Sequence, residues 1–247
     1  MEKVDWAAAK GIANEPTLDR FVKKLGGQKI SEIIPAAAFE NADYLFRQQN
    51  VIIELKTLES EFGDTNEFKS KLDALTDRFA REGKLGGGPF LGKPYPREFV
   101  RAFIDLFRPP LARIAKKANR QIRETKTQLN LPRAHGVLLC VNDEFRALEP
   151  QFIIGLFGRV LQGSCSSINA FIYHTNHYID IPGSEYAHIL WKSAYADGTP
   201  DSVVDFVDNF GRKWFDFCEA EGIRADTRLE GPHLSFDGAR AIKRRMG

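Results

Sequence analysis

The chain has 247 residues, 43% of them apolar and 28% charged, with a formal net charge of +2; this balance suits one globular domain or two small ones and excludes disordered, collagenous and coiled-coil classes. Its three cysteines, Cys140, Cys165 and Cys218, lack any C-x-x-C spacing, which argues against a disulfide framework or a four-ligand zinc site and points to a reducing compartment. No apolar run approaches the roughly 20 residues of a membrane helix, and Met1 to Gly11 shows neither a signal-peptide core nor a transit-peptide pattern, so a cytoplasmic protein with no membrane partner is expected.

In chain order, Leu18, Phe21, Val22 and Leu25 recur at helical spacing, predicting a short amphipathic helix over 17–25 with Thr17 as its N-cap and Gly26-Gly27 as its stop. Asp43 to Phe46 and Val51 to Lys56 then read as a hairpin across the turn Arg47 to Asn50, the second strand buried. A helix over Asn66 to Glu82 follows, then a Gly- and Pro-rich loop from Gly83 to Arg97. Glu98 to Phe107 is helical, Pro109-Pro110 predicts a break, and the helix restarts as Leu111 to Leu129. Its apolar stripe of Ile114, Ala118, Ile122, Thr125 and Leu129 is flanked by Lys117 and Gln121 on one side and by Asn119 and Lys126 on the other. The last third alternates: strand 136–141, helix 151–161, strand 168–173, a further strand 186–191, and an amphipathic helix 201–221. A hairpin followed by β-α-β units predicts an α/β fold with a mixed sheet.

The small net charge conceals an asymmetry, because residues 68–134 hold sixteen Lys or Arg against six Asp or Glu, whereas the remainder is acidic. Such a basic middle suits a polyanion such as nucleic acid.

The hairpin brings three chemically useful side chains toward one end of the sheet. Asp43 opens its first strand, and Glu54 and Lys56, two apart on the second, share a face. Two converging carboxylates suit a hard cation bound through oxygen, with the Leu55 carbonyl as a further ligand. An ammonium beside it can orient water and offset phosphate charge. An acid-x-lysine triplet occurs four times, at Glu54-Leu-Lys56, Glu67-Phe-Lys69, Glu82-Gly-Lys84 and Glu124-Thr-Lys126. Only the first sits on a β-branched run with an Asp-led strand one hairpin upstream.

Ala42-Asp43 followed by Glu54-Leu55-Lys56 resembles the PD-(D/E)XK nuclease superfamily, with Ala42 where the pattern has proline. The resemblance implies a restriction-endonuclease-like fold: a mixed central sheet flanked by helices, with a helical insertion after the motif strand (about 57–115) and a C-terminal strand-helix extension (about 175–247), all within one domain over 1–247. It implies Mg²⁺-dependent phosphodiester hydrolysis, Mn²⁺ substituting, with Asp43 and Glu54 as metal ligands, to which the residue pattern adds the Leu55 carbonyl, and Lys56 positioning water. Members also place a Gln or Lys on the helix after the motif strand, which points to Gln121, with Lys117 and Lys126 behind it. Glu32 and Glu40 are both candidates for the additional acid that some members carry. Lys93, Arg97, Lys117, Arg120 and Lys126 are the expected nucleic-acid contacts, DNA more than RNA, and cutting both strands of a duplex calls for a homodimer. The alternatives are a catalytically inactive nucleic-acid-binding module of the same fold and a protein-interaction partner.

Other motifs carry less. Gly87 to Lys93 matches most of a phosphate loop but has Pro94 where a Ser or Thr would hold Mg²⁺, and reads as a connector. His174 and His177 lack a third ligand and are read as structural. Asn142-Asp143 reads as a turn at a strand end, and Ser164, Ser166 and Ser167 lack a nucleophile elbow.

Overall fold

The computed structural model describes residues 5–34, 40–59, 65–85, 95–223, 227–231 and 234–243. Lys93 and the rest of the Gly87 to Lys93 segment therefore lie outside the described residues. Helix α1 (Glu15–Lys24) is capped by Asn14, not by Thr17: Asn14 is extended and its side chain accepts from the Thr17 N–H, with Pro16 fixing the first turn. After β1 (Gln28–Lys29) and the single turn α2 (Ile30–Ile33), β2 (Tyr44–Phe46) and β3 (Val51–Leu58) form the expected hairpin. Asn50 closes its turn at φ 55, a left-handed conformation that Asn tolerates better than most residues.

Helices α3 (Asn66–Arg81) and α4 (Arg97–Asp105) intervene before α5 (Arg108–Gln128). The prolines do not break the chain ahead of α5. They occupy its first turn, where a missing N–H costs no intrahelical bond. Then come β4 (His135–Asn142), α6 (Pro150–Ser164), β5 (Ala170–Thr175), β6 (Ile179–Asp180), β7 (Ala187–His188), β8 (Trp191–Tyr195), α7 (Asp201–Ala220) and β9 (Arg240–Ala241). The strand expected over 186–191 is divided between two sheets. Leu190 separates the parts: its N–H donates to Thr175 Oγ1 and its carbonyl accepts from the Thr175 N–H and from His174 Nδ1.

The protein is α/β, with a mixed six-stranded sheet in the order β1-β2-β3-β4-β5-β8. Strands β1 to β3 form an antiparallel meander, β3, β4 and β5 are parallel, and β8 returns antiparallel. A second, three-stranded sheet has the order β7-β6-β9. One face of the main sheet packs Leu45, Ile52, Leu138, Cys140 and Phe171 against Leu111, Ala115, Ala118 and Ile122 of α5 and Ile153, Leu156 and Phe157 of α6. The other packs Tyr44, Ile53, Leu139 and Ile172 against Leu18, Phe21 and Val22 of α1 and Val203, Val207, Phe210 and Trp214 of α7. The C-terminal part expected as an extension thus supplies half of one core layer. Phe21 meets Phe210 and Trp214 edge-on, at 5.0 and 5.1 Å between ring centroids.

Helices α3 and α4 share a small cluster of Leu75, Phe79 and Phe99, and Phe68, Phe103 and Phe107 join it to the main core. The two histidines dismissed as ligands are buried. His174 Nδ1 donates to the Leu190 carbonyl (3.0 Å) and its Nε2 accepts from Trp214 Nε1 (3.2 Å), which fixes a neutral ring. No helix among the described residues is long and apolar enough to cross a membrane.

Candidate functional site

Strand alternation builds the site. The hairpin register pairs Tyr44 with Ile53 and Leu45 with Ile52, so Asp43 lies opposite Glu54, and Asp43, Glu54 and Lys56 share the α5 face with Leu45 and Ile52. The main chain of Asp43 is held on both sides: its N–H donates to the Ile53 carbonyl (3.1 Å), and its carbonyl accepts from Ile30 (2.8 Å). β2 extends no further toward its start, and the Leu55 N–H instead donates to Asp43 Oδ2 at 2.7 Å. A strand residue's N–H and C=O leave the same edge, so the Leu55 carbonyl also lies on the Asp43 side.

Glu54 is fully buried, with 0% of its surface exposed. Lys56 Nζ donates to its Oε1, whereas its Oε2 meets no donor among the described residues; when protonated, the Glu54 carboxyl can itself hydrogen-bond Asp43. Burial, and then the charge of Asp43, push the Glu54 carboxyl up to about 8 against the opposing pull of Lys56. Burial also raises Asp43, opposed by the Leu55 N–H and by Lys56. Two carboxyls pressed together under a helix resist being ionised at once unless a cation joins them.

Helix α5 forms the lid. Thr125 Oγ1 accepts from the Ala42 N–H (2.8 Å), and Gln121 Nε2 donates to the Asn41 carbonyl (3.0 Å). The first bond accounts for alanine where the nuclease pattern has proline, because proline has no N–H to give. Gln121 is 6% exposed, and its Oε1, like Asn41 Oδ1, is buried without a partner among the described residues. One turn earlier on α5, Lys117 pairs with Glu40 (2.9 Å), and Arg120 reaches the same carboxylate at 3.7 Å. Lys117, and more weakly Arg120 and Lys56, hold Glu40 below its ordinary value.

Asp43, Glu54, Leu55, Lys56 and Gln121 are thus together, with Lys117, Arg120 and Glu40 at the rim. Lys126 is elsewhere: half-buried and lowered by desolvation, it donates to the Ser167 carbonyl at 3.2 Å. That loop approaches so closely that a Cβ on Gly136 would fall 2.1 Å from the Ser167 oxygen. Arg97 is exposed at the start of α4. Glu32 is exposed on α2, whereas Glu40 stands beside the basic rim. The other three acid-x-lysine triplets fall on or at the end of helices. Asn41 escaped sequence reasoning, although its place two residues before Asp43 was a signal of the same alternation.

Among the described residues there is no group of three or more His, Cys, Asp or Glu able to hold a metal ion. Comparison with known protein families, with curated proteins and with solved structures returned no match.

Proposed function

We propose that this chain is a Mg²⁺-dependent endonuclease of the restriction-endonuclease-like fold that hydrolyses phosphodiesters of nucleic acid, DNA foremost. The observation that carries the reading is buried Glu54 beside half-buried Asp43, with one Glu54 oxygen that meets no donor among the described residues and a lysine on the other. Burying like charges side by side is costly in any chain. A hard cation offsets that cost, and Asp43, Glu54 and the Leu55 carbonyl form an all-oxygen donor set that fits Mg²⁺ or Mn²⁺. An antiparallel meander followed by a helical crossover to a parallel strand supports the same fold reading.

The bound cation would supply Lewis acidity and a water of lowered pKa. The chain's own residues supply orientation. Lys56, anchored on Glu54, presents an ammonium to the attacking water and to the phosphate oxygens. Gln121, fixed on the Asn41 carbonyl, keeps α5 seated over the hairpin. Lys117 and Arg120 neutralise phosphates flanking the scissile one once Glu40 is displaced from them, and duplex cleavage would require a second copy of the chain.

The test is cleavage of supercoiled plasmid, linear duplex, single-stranded DNA and structured RNA in Mg²⁺, Mn²⁺ or EDTA. Wild type should cut at least one DNA substrate only with metal, and Lys56→Ala should be slowed at least ~100-fold. Salt-sensitive binding without cleavage would replace the enzyme with a binding module, and neither activity would overturn the nucleic-acid reading.

A further inference from the structure

We propose that the side-chain amide oxygens of Asn41 and Gln121 belong to the same cation site as Asp43 and Glu54, accepting hydrogen bonds from the cation's hydration water where a third acidic ligand is missing. This rests on the metal-dependent reading above, adds Asn41 to it and gives Gln121 a further role.

Asn41 Oδ1, Glu54 Oε2 and Gln121 Oε1 are three buried oxygens that meet no donor among the described residues, and such acceptors are costly to leave unpaired. A hydrogen bond and the hairpin register link their residues. Gln121 touches the Asn41 main chain, Asn41 precedes Asp43 by two residues, and Asp43 stands opposite Glu54. Turning the Gln121 amide over does not relieve its oxygen, because the flipped group would set oxygen against the Asn41 carbonyl. The two amide oxygens lack the same thing, a donor, and Glu54 joins them once a cation displaces its proton.

Hydration water on a divalent cation is such a donor, polarised by the ion, and Mg²⁺ characteristically retains several waters. With no third His, Cys, Asp or Glu clustered there among the described residues, the remaining coordination falls to water, and that water needs acceptors. Asn41 and Gln121 supply neutral ones, adding no further negative charge beside two carboxyls that already repel. They are positioning residues, holding the shell without touching the phosphate.

The experiment measures Mn²⁺ binding by the electron paramagnetic resonance signal of the free ion, without nucleic acid. Asn41→Ala and Gln121→Ala should each weaken binding about tenfold. Asn41→Asp, a stronger acceptor at the same place, should restore at least wild-type affinity. Melting curves in EDTA establish that the variants fold, and Gln121→Met, which keeps the length and removes the acceptor, replaces Gln121→Ala if that variant unfolds. Wild-type affinity in the folded Asn41 and Gln121 variants, with binding lost in Asp43→Asn, would overturn the inference and leave the cation site standing. No Mn²⁺ binding by wild type would overturn both.

Discussion

Glu54 shows how one side chain can set function against stability. Its carboxyl is lifted to about 8 by burial and by Asp43, so between its ordinary value and 8 the folded chain holds a proton that the unfolded chain releases. The sign follows: in metal-free protein, Glu54 weakens the fold progressively as pH rises through that window, and its effect is constant above it. Glu54→Gln mimics the protonated form. At pH 8.5 in EDTA it should raise stability by about 2 kcal/mol, or ~4–8 °C in Tm for a chain of this size, a gain that should vanish near pH 5 and come with loss of metal binding. A lower Tm at pH 8.5 would mean that the Lys56 contact outweighs the repulsion from Asp43.

Helix α5 joins the site to its expected substrate. Its buried face seals the hairpin through Thr125 and Gln121, while Arg113, Lys116, Lys117, Arg120 and Arg123 are exposed. Lys117 and Arg120 are held by Glu40 in the free protein. Lys117→Ala should therefore weaken DNA binding across all sequences and reduce the slope of log affinity against log salt by about 1, whereas Glu40→Gln, by releasing both cations, should strengthen binding at low salt. Equal slopes in wild type and Lys117→Ala would remove α5 from the interface. Elements of this kind were legible in the sequence because burial on one face leaves a 3.6- or 2-residue period, as it does at Ile114, Ala118 and Ile122 and at Val51 to Lys56. The same alternation exposed Asp43, Glu54 and Lys56. The rest was hidden for physical reasons. Lys126 sits on α5 like Lys117, yet its partner is a carbonyl 41 residues later, and no periodicity reports a loop's approach. Leu190, which divides two strands, is fixed by Thr175 and His174 from another strand, and the two-residue strands β1, β6, β7 and β9 are too short to carry any pattern.

Across the whole molecule, buried titratable groups oppose one another. Burial lowers His174 and His177 to about 4, so each favours the fold fully above its ordinary value near 6.5, and that contribution falls away as pH drops toward 4, by at most roughly 3 kcal/mol per ring. Glu54 acts in the opposite direction over its own range. Metal-free stability should therefore peak near pH ~6.5, and the acid-side decline should be shallower in a His174→Gln variant; an acid limb of unchanged steepness would show that protonation of this ring does not drive it. A longer-range consequence follows from the layer that α1 shares with α7. Among the described residues Phe21 meets aromatic partners at Phe210, Trp214 and Phe217, which at ordinary synthesis rates of 5–20 residues per second emerge roughly 10–40 s after it. Until then the part of that sheet face covered by α7 stays open on the nascent chain, with only α1 in place beside it, and so the ribosome-bound chain presents an apolar surface to chaperones for most of its synthesis.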